Sequence, residues 1–152
     1  MPGERFRIAA AVYGILRADG RLLLLRRAGT TFRHGQLSLP AGHLDGGEDA
    51  LSGLVRELRE ELGIEADPGG CRLALLLHTA PEDADDQEYF HLFFTVDRWT
   101  GDPVINEPGK CSELRWADPT DLPPDVVDYV AEALAAITRG ETLALRGWVT
   151  GP

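Results

Sequence analysis

A chain of 152 residues with 43% hydrophobic and 26% charged residues can bury a real core and is too balanced to be disordered. Its 25 acids against 15 lysines and arginines leave a formal net charge of −10, a field that repels phosphate backbones and excludes an extended nucleic-acid partner. A small phosphorylated ligand is compatible with that field only where local cations offset it. No apolar run reaches the length that spans a bilayer, so no membrane partner and a cytoplasmic location are expected.

The first apolar run, Ile8 to Leu16, is short, interrupted by Tyr13 and Gly14, and leads into Arg17, Asp19 and Gly20 without a cleavage region. It reads as a strand. Arg21 to Arg27 (RLLLLRR) reads as a second, and Asp19-Gly20 between them is a strong hairpin signal. A helix is expected between Asp49 and Leu62, followed by strands over Leu73 to Thr79 and Tyr89 to Trp99. The acidic segment APEDADDQE between those two strands carries Pro81 and reads as a solvated loop. A short strand follows over Glu113 to Ala117. After Pro123-Pro124 comes a second helix, Val126 to Arg139, with Val127, Val130, Leu134 and Ile137 at helical spacing and Gly140 as its stop. The last twelve residues, ETLALRGWVTGP, are an edge strand or a tail. Cys71 and Cys111 lie far apart without metal-ligand spacing, so two reduced thiols are expected. With no repeat or linker, residues 1–152 read as a single α/β domain.

The first helix carries the chemistry. Leu51, Leu54, Val55, Leu58 and Leu62 form one apolar face, while Glu57, Glu60 and Glu61 gather on another at about 100° per residue. Gly53 lies one turn before Glu57 and leaves room for a close approach, and Gly63 ends the helix. Like charges at i and i+4 cost about 0.2–0.5 kcal/mol per pair, which Arg56 and Arg59 relieve in part, with Arg56 able to reach Glu60. Such a face is either a solvated surface or a site for a hard divalent cation such as Mg²⁺ or Mn²⁺. The preceding loop, SLPAGHLDGGE, favours the cation: Pro40, Gly42, Gly46 and Gly47 give it the turns needed to bring backbone oxygens towards the helix.

Gly42, five residues, Glu48, seven residues, then Arg56-Glu57-Leu58-Arg59-Glu60-Glu61-Leu62-Gly63-Ile64 resembles the complete signature of the Nudix hydrolases. The resemblance implies an α/β/α sandwich with a central mixed sheet. It also implies hydrolysis of a diphosphate linkage in a nucleoside diphosphate joined to another group, with Mg²⁺ as cofactor and Mn²⁺ as substitute. By position, Glu57, Glu60 and Glu61 would be metal ligands assisted by the Gly42 carbonyl, Arg56 would orient Glu57, and Glu48 would support the loop. The general base would be Glu57 or a loop acid, with Glu82, Glu88, Glu107 and Glu113 as candidates.

Arg26, Arg27 and Arg33 are placed to reach phosphates, and Phe32, Tyr89, Phe90, Trp99 and Trp116 are candidate platforms for a base. His34, His43, His78 and His91 form no ligand pattern. In the family that this chain resembles, a proline some fifteen to twenty positions past the signature goes with ADP-ribose; Pro81 is seventeen past Ile64. The compact layout is more similar to members that take nucleoside triphosphates to monophosphate and pyrophosphate, which is the favoured substrate class. A non-catalytic nucleotide binder is a third reading, opposed by the retention of every signature glutamate. The expected partner is a small nucleotide, with monomer and homodimer both open.

Overall fold

In the computed structural model, which describes residues 3–149, strands and helices follow one another in a mixed order. They are β1 (Ala9–Ala18), β2 (Arg21–Arg27), β3 (Leu37–Ser38), β4 (Ala41–His43), α1 (Ala50–Leu62), β5 (Glu65–Ala66), β6 (Cys71–Thr79), β7 (Tyr89–Val96), β8 (Trp99–Thr100), β9 (Cys111–Ala117), α2 (Asp128–Thr138) and β10 (Leu143–Arg146). The main sheet runs β10-β6-β7-β1-β2-β3, with β4 also pairing β1 and β9 pairing β2. Its β1–β7 and β6–β10 pairs are parallel and the others antiparallel, so the sheet is mixed. β5 and β8 form a separate antiparallel pair.

The continuous apolar runs of β1 and β2 are explained by burial on both faces. Leu22 and Leu24 enter the core beneath α2, together with Tyr13, Ile15 and Phe93. Leu23 and Leu25, one pleat over, enter the core beneath α1 with Val12, Leu16 and Phe94. Leu54, Leu58 and Leu62 close the second core from above, and Val130, Ala133 and Leu134 close the first. Helix, sheet and helix thus make the expected α/β/α sandwich. The hairpin signal holds as well: Asp19 (φ 53°) and Gly20 (φ 74°) are both left-handed, as a tight turn between twisted strands requires.

Several boundaries differ from the sequence expectation, three of them for a visible reason. The run Tyr89 to Trp99 breaks at Asp97-Arg98, because Arg98 turns to Asp67 (3.0 Å) and Trp99 pairs with Ala66. β9 starts at Cys111 because the ladder to β2 continues past a bulge at Arg26/Arg27. α2 starts at Asp128 because the residues before it behave as strand: Leu37 N–H donates to Asp125 O (3.0 Å) and Val127 N–H to Leu37 O (2.8 Å). The C-terminal segment forms an edge strand over Leu143–Arg146, parallel to β6, while residues 150–152 lie outside the described residues. Cys71 and Cys111 are both free, and no described helix is long and apolar enough to cross a membrane.

Candidate active site

α1 is fixed at both ends by its own sequence. Asp49 caps it by accepting the Ser52 N–H (2.8 Å), and Gly63, at φ 67°, turns the chain out while its N–H caps Arg59 O. Before the helix, β4 lies against β1, pairing Gly42 with Val12. That pairing puts Gly42 directly under Glu57: a Cβ at position 42 would stand 2.0 Å from Glu57 Cδ. The close approach expected at Gly53 is present: a Cβ there would meet Leu44 Cδ2 at 2.4 Å and Glu48 Cδ at 3.4 Å, so the small residue admits side chains of the loop.

Arg56 organises the acids around it. Its guanidinium makes a two-pronged contact with Glu48 (2.7 and 3.1 Å) and reaches Glu57 (2.9 Å) and Glu60 (3.3 Å). A further donation to the His43 carbonyl (3.3 Å) ties the helix to the loop. Arg56 holds the Glu48 carboxyl below its usual range. Glu57 is pushed up instead, because burial outweighs the help from Arg56. Glu61 is pushed up to about 8 by burial and then by repulsion from Glu57, against which the Ala41 N–H (3.3 Å) and the Lys110 charge act.

Glu57, Glu61 and Gly42 stand on one wall of a cleft of about 510 Å³. Arg27, Lys110 and Phe32 face it, and Tyr13, His91 and Tyr129 line its floor. The floor is a satisfied polar network: the Tyr13 hydroxyl lies 2.8 Å from His91 Nδ1, and Thr79 Oγ1 lies 3.0 Å from His91 Nε2. Burial pushes the His91 imidazole down to about 4, so it is neutral at physiological pH, and pushes the Tyr13 phenol well above its usual range. A smaller cavity of about 210 Å³ adjoins the cleft across Arg27, Ala41, Glu61 and Lys110, and Glu107 lines it.

The chain matches the NUDIX domain over residues 5–137. It belongs to the Nudix family. It is 30% identical over 114 residues to the 8-oxo-dGTP diphosphatase of Escherichia coli K12, covering 73% of this chain and 84% of that one. Against the ADP-ribose pyrophosphatase of Methanocaldococcus jannaschii it is 27% identical over 121 residues, covering 80% and 68%. The crystal structure of a MutT NUDIX hydrolase from Burkholderia pseudomallei superposes with a TM-score of 0.76 at 25% identity, covering 86% of this chain and 98% of that one. This Nudix protein is a hydrolase of phosphoric anhydrides, from a family that uses divalent metal and small nucleotide substrates.

The remaining expected site residues of the Nudix hydrolase divide clearly. Arg27, Phe32 and Glu82 line the cleft, and Glu107 lines the side cavity. Arg26 does not join them. The pleat turns it away from Arg27, and it holds Glu113 (2.8 Å), Asp125 (2.7 Å) and the Gly35 carbonyl. Glu113 sits on β9 and not on a loop, opposite Arg26 in the ladder, so the two satisfy one another away from the cleft. Glu88 lies 3.6 Å from His78 and also stands off the cleft. Arg33 is committed to Glu82 and Asp128. Among the aromatic candidates, Trp99 and Trp116 pack against the core beneath α1 and Phe90 packs on His78, whereas Tyr89 lines the cleft. Tyr13, Tyr129, Lys110 and Arg146 line the cleft without having been foreseen. Tyr13 did leave a signal, a hydroxyl in a strand buried on both faces, which has to find a partner.

As placed, no three Asp, Glu, His or Cys side chains among the described residues stand close enough to hold an ion; Arg56 engages Glu57 and Glu60. The donors nevertheless fit a hard divalent cation. Glu57 and Glu61 share one wall, and burial raises the cost of ionising both, Glu57 adding to it at Glu61 and Glu60 at Glu57, a strain that a cation between oxygens relieves.

Proposed function

We propose that this Nudix hydrolase converts a nucleoside triphosphate to the monophosphate and pyrophosphate with Mg²⁺, or Mn²⁺ in its place, held by Glu57, Glu60, Glu61 and the Gly42 carbonyl. The observation that carries this reading is the single cleft of about 510 Å³ in which Glu57 and Glu61 face Arg27, Lys110 and the exposed Phe32 ring. Bound there, the metal would neutralise the diphosphate and lower the pKa of the attacking water.

The chain's own residues supply the rest. Arg56 orients Glu57, and Glu48 keeps Arg56 in register with the loop. Glu60 is half exposed and held only at 3.3 Å, so little opposes its joining the ligand set. Arg27 donates to the Phe32 carbonyl and to no carboxylate among the described residues, which leaves its charge for a phosphate in an otherwise acidic molecule. Lys110, exposed and 3.5 Å from Glu107, adds a second positive charge. Phe32 has Arg27 and Arg33 over its ring (5.7 and 5.2 Å) and presents a stacking surface for a base. The proton of the attacking water goes to Glu57, Glu82 or Glu107, the candidates that line the cleft or its side cavity.

The triphosphate is supported by the similarity to the 8-oxo-dGTP diphosphatase of Escherichia coli K12, matched over 84% of its length. ADP-ribose is the second reading, supported by Pro81 and by the archaeal relative. A panel of nucleoside triphosphates, ADP-ribose, NADH and dinucleoside polyphosphates, compared by kcat/KM in Mg²⁺ and in Mn²⁺, decides between them. A triphosphate is expected to lead and to release pyrophosphate. A lead for ADP-ribose of about tenfold or more would overturn the triphosphate assignment.

A further inference from the structure

The match to the NUDIX domain ends at residue 137, and β10 lies beyond it. Yet β10 puts a side chain, Arg146, into the lining of the cleft. Arg146 is one of the most heavily engaged cations in the chain. It contacts Glu132 (2.8 Å), Asp128 (3.1 Å) and Glu82 (3.3 Å). Two of those acids also hold Arg33, Glu82 at 2.5 Å and Asp128 at 3.1 Å. The result is a ring of alternating charge, Arg33–Glu82–Arg146–Asp128, that joins four separate parts of the chain.

Those parts are the walls of the cleft. Arg33 follows Phe32 in the loop after β2 and is left-handed (φ 52°), a conformation that is costly for a non-glycine residue and persists only when its surroundings impose it. Its guanidinium lies over both Phe32 (5.2 Å) and Tyr129 (5.8 Å), two residues that line the cleft. Glu82 belongs to the acidic loop between β6 and β7, whose first residue donates its N–H to the Arg146 carbonyl (2.9 Å). Asp128 and Glu132 sit in the first turns of α2. Isolated exposed pairs contribute little, but here four ionised groups share partners and the arginine side chains are mostly covered (19% and 27% exposed).

We propose that Arg146 is a positioning residue for the hydrolysis reaction: through Glu82 and Asp128 it fixes Arg33, and through Arg33 the Phe32 platform, in the place where the nucleoside end of the substrate binds. It touches neither the signature glutamates nor the metal they are proposed to hold. Its loss therefore weakens substrate binding and leaves the chemical step intact. The identity of the substrate part rests on the function proposed above; the ordering of the loops does not.

The test compares wild type with Arg146→Ala and Asp128→Asn, the latter weakening the acid that both arginines share, and with Arg139→Ala, whose pair to Glu141 lies outside the cleft, as control. Hydrogen exchange is measured first, without nucleotide. The amides of residues 28–36 and 80–88 are expected to exchange about tenfold faster or more in the two variants, with those of 53–62 in α1 unchanged. Steady-state kinetics on the panel then show KM raised about tenfold with kcat within about twofold, and the control at wild-type values. Unchanged exchange in both loops overturns the proposal, as does equal acceleration in α1, which marks plain destabilisation. Faster loops with unaltered KM also overturn it. If the wild type hydrolyses nothing on the panel, the substrate reading fails, while the exchange result still decides whether Arg146 orders the loops.

Discussion

Glu57 and Gly42 are understood only as a pair. The carboxylate occupies the volume that a side chain at position 42 would fill, within 2.0 Å of a Cβ. The atoms displaced by Gly42→Ala are the flexible end of Glu57, and position 42 carries no left-handed strain, so the fold should tolerate the change. The site should not. Gly42→Ala is expected to shift stability by less than about 1 kcal/mol and to lower kcat by about 10²-fold or more, approaching the loss in Glu57→Gln. Thermal unfolding alongside kinetics at saturating Mg²⁺ checks this, and equal activity in all three proteins would remove Glu57 from the reaction. Alternation along β2 accounts for the misplacing of Arg26: Arg26 and Arg27 are neighbours in sequence but point to opposite faces, one into a cross-strand pair with Glu113 and the other into the cleft.

At the scale of elements, the site depends on loops brought together by backbone contacts that leave little sequence trace. Residues after β2 abut those before β9, where Ala28 N–H donates to Lys110 O (2.9 Å). Gly29 makes this approach possible. It sits at φ 66°, and a Cβ there would stand 2.0 Å from the Gly109 carbonyl oxygen. Here the obstacle is backbone and cannot swing aside. Gly29→Ala is therefore expected to destabilise the protein by about 1–3 kcal/mol and to displace Lys110, in contrast to Gly42→Ala, where the loss falls on catalysis alone. Urea unfolding of the two variants side by side distinguishes them; similar midpoints would show that the Gly29 contact is dispensable. α1 belongs to the other extreme, since its cap, apolar stripe, acid face and glycine stop all follow from local sequence.

For the molecule as a whole, the buried floor of the cleft sets a dependence on pH. His91 is pushed from its ordinary 6.5 to about 4, first by burial. Because the folded value is depressed, the unfolded chain takes up the proton first as pH falls. Stability linked to His91 is complete above about 6.5, declines between there and 4, and is lost below, amounting to on the order of 3 kcal/mol. Other titrations cancel when the wild type is compared with His91→Gln at each pH. The stability advantage of the wild type is expected to shrink from pH 7 to pH 4.5, as measured by urea unfolding. A pH-independent difference would mean that His91 is not held neutral.

The sequence by itself determined whatever depends on neighbours within a turn or a pleat: the hairpin at Asp19-Gly20, the doubly buried strands, and the carboxylate face of α1 opposite its apolar stripe. These follow from backbone periodicity and local sterics, which need no knowledge of the partner. Only the tertiary structure decided which charges face the cleft. Arg26, Arg33, Glu113 and Arg146 are all strand or loop charges of similar local context, and their fates were fixed by partners 87, 95, 87 and 64 positions away. Pairing across such distances is set by sheet order and loop packing, and ion pairs carry no periodic mark along the chain.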